Sequence, residues 1–300
     1  MQNTASQKLF SATDIVNFSE CVHLTSLDLI DLDTPLTRAV DDDQLRLVQE
    51  KGNEYEATYL KSMQAKHGPV IDISRSGRTN QERQVATIDA MRQGAPVIYQ
   101  ATLLDDQFVG HADFLLRVEF PSKLGNYSYE VVDTKLAHRT KAKYLVQLMF
   151  YSDLLAKVQG VSPRSVHVAL GNGKEEKYRV ASYQFYFANL RARFLDHVNG
   201  PAAKATYPEP CARCDTCHWR EICKQKWLDD DHLSQVANIN KSQIERLNEA
   251  GIKTLRALGE MPSGTLVPSV AKGTLERLRH QASLQLRARQ TGRRFVEPIL

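Results

Sequence analysis

The chain of 300 residues has no long apolar run. Nowhere does it approach the roughly 18 consecutive apolar residues of a membrane helix. Its first twenty residues, Met1 to Glu20, contain no apolar stretch of signal-peptide length. Both absences lead us to expect a cytoplasmic protein that does not insert in a membrane. No self-similar period runs through the sequence, which excludes a solenoid, and no low-complexity tract interrupts it. The charge is nearly balanced, with net +4 and pI near 8.7, so bulk electrostatics alone select no partner.

What is present is ordinary for a globular protein, with 42% hydrophobic and 25% charged residues. The length suits one large domain and one small one. The character changes after Trp227, from long apolar elements to short polar helices. We therefore expect a main domain over 1–228 and a helical module over 229–300. The charge is unevenly placed: from Lys272 to Arg294 there are seven basic residues and one acid, Glu276. Asp28, Asp31, Asp33 and Asp41 to Asp43 weight the N-terminal third the other way. A basic tail suits nucleic acid, and it equally suits a solvated helix face.

Periodicity predicts helices over Ser11 to Leu29, Gln44 to Gln64, Gln81 to Gln93, Tyr144 to Val158 and Tyr183 to Val198. Strands are expected at Val70 to Ile73, Val97 to Leu104, Gln107 to Phe120, Tyr127 to Leu136, Ser165 to Leu170 and Lys177 to Val180. Pro121 to Asn126 reads as a hairpin loop. Further helices are expected from Lys241 to Ala250, from near Thr254, and from Thr274 to Arg289. Together these predict an α/β fold with a mixed sheet flanked by helices, followed by the helical module.

The strand Glu130-Val131-Val132-Asp133-Thr134-Lys135 is apolar at its centre, yet Asp133 and Lys135 share one face of it. Buried charges are costly unless paired or bound to metal. Gly110-His111-Ala112-Asp113 places a second carboxylate on the partner strand. Two carboxylates suit oxygen ligation of Mg²⁺ or Mn²⁺, and an adjacent lysine suits orientation of a water and charge stabilisation at a phosphate. The plainer reading is a cross-strand ion pair. On the following helix, Gln147 and Tyr151 are four apart and project from one face.

Asp113, Asp133-Thr134-Lys135 and Gln147-Leu148-Met149-Phe150-Tyr151 resemble, in order and spacing, motifs II and III and the QxxxY motif of RecB-like PD-(D/E)XK nucleases. The resemblance implies a restriction-endonuclease-like fold and a metal-dependent DNA nuclease. It implies that Asp113 and Asp133 bind metal and that Lys135 is the catalytic lysine. It also implies that Gln147 and Tyr151 touch the DNA backbone or steady the site. The family often carries Gly-x-x-His-Glu on an early helix. Here Gly52-Asn53-Glu54-Tyr55-Glu56 stands in that place, with tyrosine where histidine is expected. Glu56, or secondarily Glu54, is then the oxygen donor. An impaired, DNA-binding version of the domain is the alternative that Tyr55 raises.

Four of the five cysteines, Cys211, Cys214, Cys217 and Cys223, fall within thirteen residues, which in a cytosolic chain points to metal rather than disulfides. By spacing, two assignments stand. These four bind Zn²⁺ locally, with His218 able to replace one, or distant Cys21 joins Cys214, Cys217 and Cys223 around a [4Fe–4S] cluster. A lone N-terminal cysteine followed by C-x2-C-x5-C resembles the AddB-type iron–sulfur nucleases, and that resemblance implies the second, leaving Cys211 spare. Trp219 and Trp227 would cover such a cluster or serve as core. A zinc-binding interaction protein is the reading if the first holds.

Ile244 to Leu255, around Gly251, resembles half of a helix–hairpin–helix DNA-binding unit, though Val267 to Thr274 lacks the second pair of glycines. The whole order resembles bacterial RecB-like proteins in which this region precedes exonuclease-like or helicase domains. That resemblance implies a fragment or a stand-alone version, with single-stranded DNA or duplex ends as substrate and a helicase or further nuclease domain as partner.

Overall fold

The computed structural model describes residues 1–4, 7–40, 43–201, 203–293 and 295. Asp41, Asp42, Arg294 and the C-terminal run after Phe295 lie outside the described residues. Two compact units are present, one of residues 1–36 and 41–205 and one of residues 37–40 and 206–300. The sequence reading drew its boundary at 228/229, so the cysteine segment falls on the other side of this division.

The first unit begins with a two-residue hairpin, β1 (Gln2–Asn3) and β2 (Lys8–Leu9), followed by α1 (Ala12–Glu20) and α2 (Val22–Asp33). Then come α3 (Asp43–His67), β3 (Val70–Asp72), α4 (Asn80–Arg92), β4 (Val97–Asp105), β5 (Phe108–Val118) and β6 (Ser128–Lys135). The unit ends with α5 (Ala142–Gln159), β7 (Ser165–Leu170), β8 (Glu175–Arg179) and α6 (Gln184–Asn199). Six strands form one mixed sheet in the order β3-β4-β5-β6-β7-β8, with the β3–β4 and β6–β7 pairs parallel and the rest antiparallel. The fold is thus α/β, a mixed sheet flanked by helices.

Two apolar layers sandwich the sheet. The larger holds Phe10, Ile15, Phe18, Leu115, Val131, Leu148, Leu154, Val168 and Phe194, drawn from α1, α5, α6 and one sheet face. The smaller lies under α3, where Met63, Tyr59 and Leu60 meet Val97, Phe114, Val132 and Ala169. Such burial is the main stabilising contribution, at about 25 cal/mol per Å² of apolar surface removed from water.

The predicted single helix over Ser11 to Leu29 is in fact two. Cys21 is extended (φ −158°, ψ 108°) and ends α1, then caps α2 by accepting a bond from Leu24 N through its Sγ at 3.4 Å. Apolar spacing runs on through the break, so periodicity could not show it. Gly110 fixes how closely α5 approaches the sheet: a Cβ there would lie 2.9 Å from Leu154 Cδ1 and 3.0 Å from Tyr151 Cδ1. Gly171 does the same for the end of β7, where a Cβ would sit 2.4 Å from the Leu136 carbonyl oxygen.

The second unit contains α7 (Arg220–Asp229), α8 (Lys241–Glu249), α9 (Leu255–Gly259) and α10 (Lys272–Thr291) around Leu233, Leu247, Leu255, Leu258, Leu278 and Ala282. The α8–α9 turn uses Gly251 at φ 82°, and the turn before α10 uses Ser269 at φ 62°. Where a second glycine is missing from the sequence pattern, serine therefore takes the left-handed conformation, with Arg246 Nη1 donating to its carbonyl at 2.6 Å. No helix of the described residues is long and apolar enough to cross a membrane.

Candidate active site

The predicted hairpin of β5 and β6 brings the two aspartates together. The β5–β6 register pairs Phe114 with Val132, and one step further along it Asp113 faces Asp133 beyond the last formed pair. In place of that ladder pairing, Asp113 Oδ2 accepts from both Thr134 N and Thr134 Oγ1 at 2.8 Å. One carboxylate oxygen is thereby fixed, and Oδ1 stays available.

Asp133 is wholly buried. Lys135 Nζ approaches its Oδ2 to 2.6 Å as an ion pair. The ammonium of Lys135 is the charged donor to this carboxylate, and Oδ1 has no hydrogen-bond partner among the described residues. Buried acceptors without donors are rare and need a physical reason. Burial, reinforced by the nearby Asp113 charge, pushes the Asp133 carboxyl up to about 7, against the pull of Lys135. Burial also works against the Lys135 charge, but Asp133 and Asp113 outweigh it and hold the ammonium above the usual lysine value. Lys135 is thus a positive electrostatic group rather than a neutral base. Its Nζ also lies 5.5 Å from the Tyr144 ring centre.

Glu56 on α3 belongs to the same electrostatic cluster. Burial and then Asp113 raise its carboxyl, while bonds from Tyr99 and Gln100 and the Lys135 charge oppose the rise. Glu54 does not belong to it, being exposed and paired with Lys51 at 2.7 Å. Tyr55, in the histidine position, donates its hydroxyl to the Leu170 carbonyl at 2.5 Å. On α5, Gln147 Nε2 donates to Tyr151 Oη at 3.0 Å. Burial and then the Asp133 charge hold the Tyr151 hydroxyl in its neutral form.

Sequence reasoning passed over Tyr99 and Gln100. Tyr99 Oη donates to Glu56 Oε1 at 2.8 Å and Gln100 Nε2 donates to the same oxygen at 2.6 Å. The available signal was a Tyr-Gln pair breaking the apolar run of β4.

Asp113, Asp133 and Glu56 fit a hard divalent cation by chemistry: they are carboxylate oxygen donors in one electrostatic cluster beside a lysine. Among the described residues no three His, Cys, Asp or Glu side chains are gathered closely enough to form a ready cage.

The cysteines show a local pattern of their own. Cys211 and Cys214 Sγ are 3.8 Å apart, Cys214 Sγ accepts from Cys211 N at 3.3 Å, and Cys217 Sγ accepts from Trp219 N at 3.4 Å. Trp219 is fully buried, while Trp227 donates its Nε1 to the Pro208 carbonyl at 2.8 Å.

A comparison with curated proteins gives no match. The family model of the PD-(D/E)XK nuclease superfamily matches residues 20–224. This span is more than half of the chain and takes in the mixed sheet and its acidic cluster, so the chain belongs to the PD-(D/E)XK nuclease superfamily.

Proposed function

We propose that this protein is a RecB-like, Mg²⁺- or Mn²⁺-dependent deoxyribonuclease that hydrolyses phosphodiesters in single-stranded DNA or at duplex ends. One observation carries the reading: Asp133 is wholly buried close to the like charge of Asp113, and its charged partner is the ammonium of Lys135. A purely structural ion pair would not call for two opposed carboxylates, because like charges across a ladder repel.

Asp113, Asp133 and Glu56 would hold the cation. Bound there, Mg²⁺ or Mn²⁺ supplies an acidified water and neutralises charge on the scissile phosphate. Thr134 orients Asp113 through its two bonds. Lys135, kept charged, stabilises negative charge developing on the phosphoryl oxygens. Gln147 holds the hydroxyl of Tyr151, which is buried within reach of the Asp133 charge.

The assay is incubation of an end-labelled single strand with protein and Mn²⁺, beside a Lys135→Ala control. Cleavage lost in the control supports the reading. Cleavage persisting in it points to contamination. Salt-sensitive binding without cleavage favours an impaired DNA-binding module, the second reading. Tyr55 motivates that second reading, since its hydroxyl is committed to Leu170.

The cysteines extend the proposal to a structural [4Fe–4S] cluster on Cys21, Cys214, Cys217 and Cys223. Backbone amides donate to the sulfurs of Cys21, Cys214 and Cys217, while burial raises the Cys214 thiol above its usual value, and a bound metal would offset that cost. The 3.8 Å approach of Cys211 to Cys214 favours the alternative, a local Zn²⁺ site of a zinc-binding protein. The two glycine- and serine-based turns of the second unit support backbone contact with DNA. A helicase or further nuclease domain is the proposed partner.

A further inference from the structure

Gln100 lies in the middle of β4 at φ 54°. Among the described residues the other non-glycine residues with positive φ, Asp106, Asp231, Asn238 and Ser269, all sit in turns. A left-handed non-glycine residue inside a strand costs on the order of 1–3 kcal/mol and persists only where the surroundings impose it.

The sheet registers this strain. The β4–β5 ladder pairs Tyr99 with Phe114 and Ala101 with Ala112, and it passes over Gln100 and Asp113 between them. Ile98 and Ala101, three apart, both enter the main core, as do Ala112 and Leu115. In regular strands residues three apart point to opposite faces. Each strand has therefore turned over once, at Gln100 and at Asp113.

The consequence is local. Tyr99 and Gln100 are neighbours, so in a regular strand their side chains would diverge. Here both donate to one atom, Glu56 Oε1. Two donors on one oxygen fix the carboxylate plane and leave Oε2 unused among the described hydrogen bonds.

We infer that the left-handed kink at Gln100 is a positioning device that, with Tyr99, clamps Glu56 Oε1 and leaves its second oxygen for a cation that Glu56 and Asp113 would hold. The inference rests on the nuclease reading above. Tyr99 and Gln100 are positioning residues, acting on the cation through Glu56. A side chain that only supported the fold would have no need of the strained backbone, because β4 would be more stable as a regular strand.

Mn²⁺ binding to the DNA-free protein, read as loss of the free-ion electron paramagnetic resonance signal, tests this alongside thermal unfolding. Gln100→Gly accepts the backbone conformation and removes the side chain with its amide donor. It should unfold at or above the wild-type temperature and yet bind Mn²⁺ about tenfold more weakly, the scale of outer ligand-support losses. Tyr99→Phe, which removes the other donor, should weaken binding in the same direction. If both variants fold and keep wild-type Mn²⁺ affinity while Asp133→Asn loses it, the clamp is wrong and the metal site stands. If Asp133→Asn also keeps full affinity, the metal site itself is wrong and the clamp falls with it.

Discussion

Asp113 stands between Gln100 on one neighbouring strand and Asp133 on the other, and it forms a regular ladder pair with neither. Three consecutive strands thus lose their regular pairing along one row, and that row is where the charged groups gather. A sheet that gives up backbone pairing at one level frees side chains to be held by other donors, as Thr134 holds Asp113.

Lys135 separates binding of the cation from chemistry. Lys135→Ala removes the positive charge that competes with a cation beside Asp133. We predict that Mn²⁺ binds it at least as tightly as it binds wild type. Cleavage should fall by roughly 10²–10³, the loss typical of one preorganised charge-stabilising donor. Spectroscopic Mn²⁺ titration and single-turnover cleavage check the two halves, and weaker binding in the variant would contradict this role.

Gly110 should tolerate little. A valine there would drive its branches into Tyr151 and Leu154 and push α5 off the sheet. The expected cost is about 1–3 kcal/mol of stability. A shift of Tyr151 relative to Asp133 would lower turnover about tenfold or more, because small misplacements are expensive in rate. Urea unfolding together with initial rates decides it, and a fully active, equally stable Gly110→Val would refute the packing argument.

Gly171→Ala meets backbone rather than a flexible side chain. Its methyl would overlap the Leu136 carbonyl, while Gly171 N is bonded to the Lys135 carbonyl at 2.8 Å. A loss of at least about 2 kcal/mol is expected from overpacking against atoms that cannot rotate away. Chemical denaturation measures it directly.

His167 gives stability a defined pH window. Its Nε2 meets Glu130 at 2.8 Å and its Nδ1 meets Glu175 at 2.9 Å, with Lys177 3.5 Å from Glu130 and Tyr59 3.0 Å from Glu175. Burial works against the imidazolium, but the two carboxylates outweigh it and raise the histidine above 6.5. The His167 bond lowers the Glu175 carboxyl to about 2. For Glu130, burial is outweighed by His167 and Lys177, leaving its carboxyl below 4.5. A raised histidine contributes fully below 6.5 and loses its contribution as pH rises through its folded value. The depressed glutamates contribute above 4.5 and lose it as pH falls through their folded values. This network is therefore strongest between 4.5 and 6.5. Urea midpoints should fall from pH 6 to pH 9, and His167→Gln should flatten that fall while costing about 2 kcal/mol at pH 6 through the charge-assisted bonds lost to Glu130 and Glu175. A midpoint independent of pH over this range would disprove the coupling.

The cysteine proposals part on two variants. With a [4Fe–4S] cluster, anaerobically purified protein is brown, with broad absorbance at about 400 nm, and Cys21→Ala abolishes the colour while Cys211→Ala keeps it. With local zinc the protein is colourless, and the metal is lost from Cys211→Ala but not from Cys21→Ala.

Much of the acidic site was legible in the sequence, because it rests on short-range geometry. Asp133 and Lys135 are two apart on a strand, Gln147 and Tyr151 are four apart on a helix, and the hairpin loop around Gly125 brings Asp113 to Asp133. The boundaries of β7 agree with expectation residue for residue, since Pro163 precedes it and the turn Gly171-Asn172-Gly173 follows it. What stayed hidden depended on long-range contacts. Nothing local marks Gln100 as left-handed, since the donors' common acceptor, Glu56, is 44 positions away. The break at Cys21 was masked by apolar residues on both sides. Helix α7 also escaped, because its polar sequence offers little periodicity.

The outer strands of the sheet have a consequence for crowded conditions. On one border β8 offers alternating exposed charged residues, Glu175, Lys177 and Arg179, and on the other β3 is three residues long. An incoming foreign strand would have to desolvate those charges on one side and would find few open amides on the other. The protein should therefore resist fibrillar aggregation through its folded form, and any amyloid-like growth would have to start from unfolded chains.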